Sequence, residues 1–339
     1  MTILFDINHP AHVHYFKNCI KSLKKSGHNI IVVSRNKEFE HELLDSLNID
    51  FISRGKGAES LIGKFLYHIY AVFFLLKLIK QNKIDLIVSF MHPYAAQGAW
   101  LAGKPSLVFS DTEKATLHHL FTLPFTTEIH SPFTFQKNLG QKHTKFKSFM
   151  ELAYLNKKNF KPDPQILDSL GLSDRDRYII VRFVSRKSIH DRSDSGISEA
   201  NKIKIVRRLS EHRKVFVSSE IELPKILKQY ELRIDKVKIH QVLYHADLVF
   251  GESATMASES AMLGTPAVYI DNEGRGYTDF LEKEYKIVFN FKEDSHEIDE
   301  ATKKALSILN EKKDYKMIRE RILAESINTS DYIYNQIIK

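Results

Sequence analysis

The feature that most limits how this 339-residue chain can fold is a repeated alternation of short, continuously apolar runs with longer stretches of helical period. Runs such as LIVSF (86–90) and SLVF (106–109) lack the in-and-out alternation of a half-solvated strand. Strands of that kind are buried on both faces, as in a parallel sheet covered by helices. The series opens with Ile3 to Ile7, a helix from about His12 to Ser26, and Ile30 to Ser34, which together read as a βαβ unit. It continues with a helix around Glu38 to Leu47, a short strand near Phe51, a long helix from Leu61 to Lys80, and strands at Leu86 to Phe90 and Ser106 to Ser110. The last strand of this half is Glu128 to Ser131.

The segment KKNFKPDP (157–164), with its charges and two prolines, interrupts the rhythm. A second alternation follows: Tyr178 to Phe183, a helix from about Ser198 to His212, Val215 to Ser218, a helix starting near Pro224, Leu248 to Phe250, a helix to Leu263, and Ala267 to Ile270. Two such series predict two doubly wound, Rossmann-like α/β domains, residues 1–158 and 159–339, with a ligand site at the carboxyl ends of the strands facing an interdomain cleft. The stretch from Tyr315 to Lys339 reads as helical and as a candidate to cross back to the first domain.

Composition narrows the class. With 43% hydrophobic and 27% charged residues, and only 13 Gly and 9 Pro, the chain reads as globular and not as disordered. One cysteine, Cys19, excludes an internal disulfide, and the opening MTILFDINHP has neither the basic nor the apolar region of a signal peptide, so a cytoplasmic setting is expected. A net charge of +8 fits nucleic acid, an anionic membrane surface or a phosphate-bearing substrate. The cations are scattered and carry no nucleic-acid-binding signature, so nucleic acid is not expected as a partner. The stretch from Leu61 to Ile79 is interrupted by Lys64, His68 and Lys77 and is a poor membrane span. It reads as a helix packed on the sheet, with Phe65, Tyr67, Tyr70, Phe73 and Phe74 offering peripheral contact with the inner face of a membrane if they are not all inward.

The most informative segment for chemistry is DLVFGESATMASESAMLGTPAVYID (247–271). A buried strand ends at Gly251, Ser253, Ala254 and Thr255 make the turn, and a helix follows. Backbone N–H groups at such a helix start, with the hydroxyls of Ser253 and Thr255, suit a pyrophosphate. Glu259, one turn further in, suits two ribose hydroxyls; the competing reading is a capped helix carrying a solvated glutamate. The segment resembles the nucleotide-sugar motif of GT-B enzymes, among them the peptidoglycan N-acetylglucosaminyltransferase and the UDP-N-acetylglucosamine 2-epimerases. Aligned on ESAMLGTP, that resemblance implies Glu259 as the ribose-binding glutamate and Ser253 as the phosphate-binding serine, with Ala254 and Thr255 where paired glycines are usual. The opening FDINHPAHVHYFKN and the later DTEKA, VRFVSRKSIHD and VSSE together closely resemble a family of GT-B-like bacterial and archaeal proteins whose activity is undefined. This resemblance covers nearly the whole chain and implies a GT-B fold; Lys114 stands where DTEHA is commoner.

In the first domain, His9 and His12 fall in the turn from the first strand into the first helix, where a histidine can donate to phosphate or act as a base. His9, His12 and His14 lack a matching cysteine or acidic ligand set, so neither a metal nor another cofactor is expected. Asp111 and Glu113 follow a strand and are candidate bases for an acceptor hydroxyl, or else the early acids of a helix capped at Asp111 or Thr112. In the second domain Arg182, Arg186, Lys187 and His190 form a polar loop suited to a leaving diphosphate. Ser219 and Glu220 end the next strand within reach of a nucleotide, and His240 precedes QVLYHA and suits a base pocket. No G-x-S-x-G elbow, G-x-x-x-x-G-K-[ST] loop or G-x-G-x-x-G fingerprint is present, which removes serine hydrolase, kinase and dehydrogenase readings. The expectation is a metal-independent glycosyltransferase moving a sugar from a UDP-linked donor to a glycan or lipid-linked acceptor, as in cell-surface glycan synthesis. A UDP-N-acetylglucosamine 2-epimerase and a non-catalytic nucleotide-sugar-binding protein are the alternatives.

Overall fold

The computed structural model describes residues 1–36, 39–58, 60–185 and 196–339. They divide into two compact units, Met1–Asn159 with Ser326–Lys339, and Phe160–Glu325. Each unit is a parallel sheet with helices, in the Rossmann manner.

The first unit holds β1 (Thr2–Ile7), β2 (Asn29–Ser34), β3 (Ile52–Ser53), β4 (Leu86–Phe90), β5 (Ser106–Phe109), β6 (Glu128–Pro132) and β7 (His143–Phe146), in the order β3-β2-β1-β4-β5-β6-β7. Every pairing is parallel. The first connections run outward one way from β1 and the later ones the other way. The carboxyl ends of β1 and β4 therefore flank a topological switch point, where crossovers diverge and leave a crevice. The second unit holds β8 (Tyr178–Phe183), β9 (Lys214–Ser219), β10 (Leu248–Gly251), β11 (Ala267–Ile270) and β12 (Val288–Phe291), ordered β12-β11-β10-β8-β9 and again all parallel. Its switch point lies between β8 and β10.

Local chemistry sets the helix starts. His9 caps Pro10–Lys25, with proline at a first-turn position where its missing N–H costs nothing. Ser60 caps Leu61–Gln81 by accepting the Gly63 N–H at 3.1 Å, and Asp294 caps Ser295–Asn310 by accepting the Glu297 N–H at 3.0 Å.

Several elements differ from the sequence expectation. A helix, Pro93–Leu101, joins β4 to β5; its small residues lie against the Leu61–Gln81 helix, with Ala95 and Ala99 packed among Leu75 and Ile79. Gly98 lets the backbones close up, since a Cβ there would lie 3.3 Å from Leu75 Cβ and 3.4 Å from the Val72 carbonyl oxygen. The first sheet does not stop at β6, nor the second at β11: β7 and β12 extend them. After Pro224 the chain forms a short 3-10 helix, Lys225–Tyr230, in place of the expected α-helix. The helix Thr329–Ile338 belongs to the first unit, where Ser148 Oγ donates to the Ile327 carbonyl and Thr329 Oγ1 to the Phe149 carbonyl, both at 2.7 Å.

Gly251 closes β10 at φ +153°, and a Cβ on it would run into the backbone carbonyl of Arg182 on β8. Gly251→Ala is therefore expected to destabilise the protein by about 2 kcal/mol or more, the cost of forcing a rigid backbone apart. A lowered urea midpoint with an unchanged slope would register it, and an unchanged midpoint would contradict this account of the strand junction.

Candidate functional site

In the second unit the carboxyl ends of β8 and β10 lie side by side, with Arg182 in register with Gly251. Ser253 follows as the N-cap of the helix Ala254–Met262, its Oγ accepting the Met256 N–H at 3.3 Å. Ser253, Ala254 and Thr255 are half-buried, so the positive end of this helix opens beside the switch point. Capping leaves the Ser253 hydroxyl proton available to donate, since the oxygen accepts the Met256 N–H.

Glu259 is not a solvated charge. It is 7% exposed, and its Oε1 lies 2.9 Å from Nε2 of His240, which is 6% exposed on the helix Ile239–His245. The two residues that the sequence placed separately, one at the ribose and one at the base, thus form one buried pair beneath the helix start. Removing either partner takes a hydrogen bond from a buried polar group, so Glu259 contributes to the fold.

The acid adjoining the turn, Glu252, is also committed. It is buried, and its carboxylate accepts the N–H groups of Val184 at 3.2 Å and Ile197 at 2.8 Å. Its charge is spent on backbone donors at the end of β8 and before the helix Glu199–Ser210. Arg182 donates to Ser218 Oγ at 2.8 Å and forms an ion pair with Glu220, which also accepts the Ser185 N–H at 3.0 Å. Ser219 Oγ both donates to the Ile221 carbonyl and accepts the Ile221 N–H, at 2.8 and 3.2 Å. Arg182, Ser218 and Glu220 therefore knit the ends of β8 and β9 together, while Ser219 closes the turn after β9. Arg186, Lys187 and His190 lie outside the described residues. Arg275, which sequence reading passed over, sits half-buried before the helix Gly276–Phe280, beyond the carboxyl end of β11.

In the first unit the corresponding edge is built on a buried ion pair. Asp6 on β1 is fully buried and pairs with Arg54 at 2.6 Å; Asn8 donates to Asp6 at 3.0 Å and accepts from Arg54. Arg54 also donates to the Tyr67 hydroxyl at 3.2 Å and lies over the Tyr94 ring, 5.0 Å from its centroid. This network holds the turn that carries His9 and His12. His9 Nδ1 accepts the Ala11 N–H at 3.1 Å, and His12 Nδ1 faces the Asn8 N–H at 3.4 Å. In a neutral ring those contacts put the proton on Nε2. Of the two roles open to these histidines, the geometry favours donation over proton abstraction. Burial, reinforced by His9, holds His12 well below the ordinary histidine value, and its ring lies 4.6 Å from that of Phe90.

Asp111 and Glu113 follow β5. Asp111 accepts from the Tyr15 hydroxyl at 3.1 Å and from Thr112 Oγ1 at 2.9 Å; Glu113, buried, accepts the Gln136 N–H at 3.2 Å. Neither is the early acid of a helix, because the next helix, Thr116–Thr122, starts after an Ala115 cap. Tyr15 links the acids to the histidine turn, its ring 6.3 Å from that of His12.

The sequence reading missed His92. It follows β4 as His9 follows β1, each histidine preceding the first proline of a helix, and β1 and β4 are paired neighbours. That repeated His-Pro was visible in the sequence. Met91, just before it, is held at φ +23°, a region that ordinary side chains avoid and that recurs at functional sites. His92 Nδ1 is buried without a hydrogen-bond partner among the described residues, and its ring lies 5.3 Å from that of His118. Burial and the nearby Arg54 hold His92 well below the ordinary histidine value. His14 stacks on Tyr154, ring centroids 5.1 Å apart, and among the described residues no group of three or more metal-ligating side chains comes together. Cys19 is buried, which pushes its thiol pKa up and away from nucleophilic use.

His12 and His92 are held below 6.5, near which the same groups titrate when unfolded. The unfolded chain thus takes up more protons, and the stabilisation from the neutral rings, complete above that pH, is lost as pH falls through 6.5 toward the depressed folded values. The melting temperature should fall between pH 7 and pH 5, with a slope reaching at most about 1.4 kcal/mol per pH unit for each ring. A His12→Gln/His92→Gln variant should show a shallower dependence; an identical slope would assign the acid sensitivity elsewhere.

Solved structures share this architecture. The UDP-N-acetylglucosamine 2-epimerase of Neisseria meningitidis, solved with UDP-N-acetylglucosamine bound, matches at TM-score 0.73 with 12% identity, covering 100% of both chains. The corresponding epimerase of Methanocaldococcus jannaschii matches at 0.70 with 13% identity, over 100% of this chain and 99% of that one. Acinetobacter baumannii MurG matches at 0.60 with 14% identity, over 99% of each. At such identities the likeness establishes the fold, which is GT-B. In sequence, an uncharacterised protein of Methanocaldococcus jannaschii is 26% identical over 278 residues, covering 79% of this chain and 81% of that protein. The model of the family described as protein of unknown function DUF354 matches residues 1–336, and the chain belongs to that family.

Proposed function

We propose that the protein is a nucleotide-sugar enzyme whose second unit holds a UDP-linked donor. The observation that carries this reading is the open helix start at Ser253–Thr255, with the buried Glu259–His240 pair about one turn deeper. The diphosphate would lie on the N–H groups of that turn, where the helix dipole and the Ser253 hydroxyl favour anionic oxygen. Glu259, oriented by His240, would accept ribose hydroxyls, and Arg275 is an additional cation at the same sheet edge. The likeness to epimerase and MurG structures supports a nucleotide-sugar ligand in kind.

The reaction we favour is transfer. An acceptor hydroxyl attacks the anomeric carbon, the bond from that carbon to the diphosphate oxygen breaks, the hydroxyl proton passes to a carboxylate, and the electron pair leaves on the diphosphate. Asp111 and Glu113 are the candidate bases, while His9 and His12, with protons on Nε2, suit hydrogen bonds to sugar or phosphate oxygens. The same set of acids and donors also suits a second reading, C2 epimerisation, in which one group removes the C2 proton as the bond from C1 to the diphosphate oxygen breaks, and the diphosphate then re-adds at C1 while another group protonates C2 on the opposite face.

Calorimetric titration with UDP tests the nucleotide site. Ser253→Ala and Glu259→Gln should each weaken binding roughly 10- to 100-fold, the range set by losing a charge-assisted hydrogen bond. Glutamine preserves shape beside His240, so a thermal melt separates lost affinity from lost structure. Unchanged affinity in both folded variants would remove the phosphate and ribose assignments.

Incubation with donor alone distinguishes the two reactions. A transferase should release nucleotide slowly, accelerate when the acceptor is supplied, and keep working in EDTA. Rapid C2 inversion by NMR without acceptor would replace transfer by epimerisation, and tight binding without chemistry across a donor and acceptor panel would leave a binding protein.

A further inference from the structure

The helix Leu61–Gln81 is long and apolar enough to cross a membrane by length and composition, yet most of it is not buried in the protein. Ala71, Val72, Leu75 and Ile79 form its inward face and join the core of the first unit. Its amino-terminal half and outer side stay open: Ile62 is 75% exposed, Phe65 66%, Leu66 59% and Phe73 60%. Such residues normally face a core. The helix Thr116–Thr122 adds Leu117 at 69% and Leu120 at 63%. The two surfaces are tied together through the helix between them: His68 Nε2 lies 2.7 Å from Gln97 Oε1, Gln97 Nε2 donates to the Phe121 carbonyl at 3.0 Å, and the His68 and Phe121 rings are 6.4 Å apart. A contiguous apolar face of this kind marks an interaction surface.

Charge selects the partner. The Leu61–Gln81 helix carries Lys64, Lys77 and Lys80 and no acidic residue, all three lysines are exposed, and exposed Lys83 follows directly. A second copy docked through a two-fold axis would set this cationic face against itself. An anionic bilayer answers both features, since aromatic and aliphatic side chains enter the headgroup boundary while lysines meet lipid phosphates. The helix does not cross that bilayer, because its inward face is part of the core. We propose that the first unit docks peripherally on anionic membranes through the outer face of Leu61–Gln81 and the neighbouring Leu117–Phe121 surface. The inference does not rest on the nucleotide reading, although a membrane-docked enzyme would reach lipid-linked acceptors.

Co-sedimentation of the full chain with phosphatidylcholine vesicles, with and without phosphatidylglycerol, tests it. Binding should require the anionic lipid, fall with salt, and drop at least tenfold in Phe65→Ser/Phe73→Ser, whose exposed positions leave the melting temperature unchanged. Lys77→Glu/Lys80→Glu, on the same side of the helix as Phe73, should remove the preference for anionic lipid. No sedimentation with anionic vesicles, or equal sedimentation of wild type and the serine variant, would overturn the proposal. A stable dimer by light scattering that the serine variant abolishes, without lipid binding, would replace the bilayer with a second copy. UDP titration of the same variants should be unaffected, so failure at the membrane and failure of the nucleotide site read out separately.

Discussion

The buried ion pair between Asp6 and Arg54 is the constraint on which the first unit's functional edge depends. A carboxylate in the middle of a parallel sheet has no access to water, and its desolvation is tolerated only with a counter-charge and further hydrogen bonds. Arg54 supplies the charge from just after β3, while Asn8 bridges both partners at the end of β1. The arrangement fixes the turn that presents His9 and His12. By reaching Tyr67 and Tyr94 it also ties that turn to two helices on the other side of the switch point. A strained Met91 and a His92 nitrogen without a hydrogen-bond partner among the described residues are held next to this rigid network, where such costs can be sustained.

The second unit manages its edge by committing its charges. Glu252 answers backbone donors at residues 184 and 197, Glu220 answers Arg182, and Glu259 answers His240. The helix start at Ser253–Thr255 is then left with backbone donors and hydroxyls beside it, an environment suited to an anion. The Glu252 carboxylate, adjacent in sequence to that turn, is turned toward backbone donors of the protein.

The alternation of elements was legible because each strand's apolar run and each helix's period are local properties. The βαβ opening, the paired series and the helix after Gly251 could be read directly. Pro93–Leu101 escaped because PYAAQGAWL is short, small and apolar all round, so it shows no clear amphipathic stripe. β7, HTKF at the sheet edge, escaped because its exposed middle lacks the buried-strand signature. For the candidate site, residue types were legible where they sat in strand-to-helix turns, while the state of each side chain was not. Glu259 read equally well as a solvated charge or a ligand and is a buried partner of His240.

The sequence by itself determined the α/β class, the two series and the strand-to-helix turn after Gly251, since these follow from periodicity and chemistry within a few residues. Tertiary structure alone decided which polar groups meet: Asp6 with Arg54 across 48 residues, Glu252 with the Val184 N–H across 68, and His240 with Glu259 across 19. It also decided that the Leu61–Gln81 helix buries only a narrow face and leaves the rest of its apolar surface open. These outcomes depend on strand order and on how far each helix overhangs its sheet. Both are set by the sum of many long-range contacts, which no local pattern encodes.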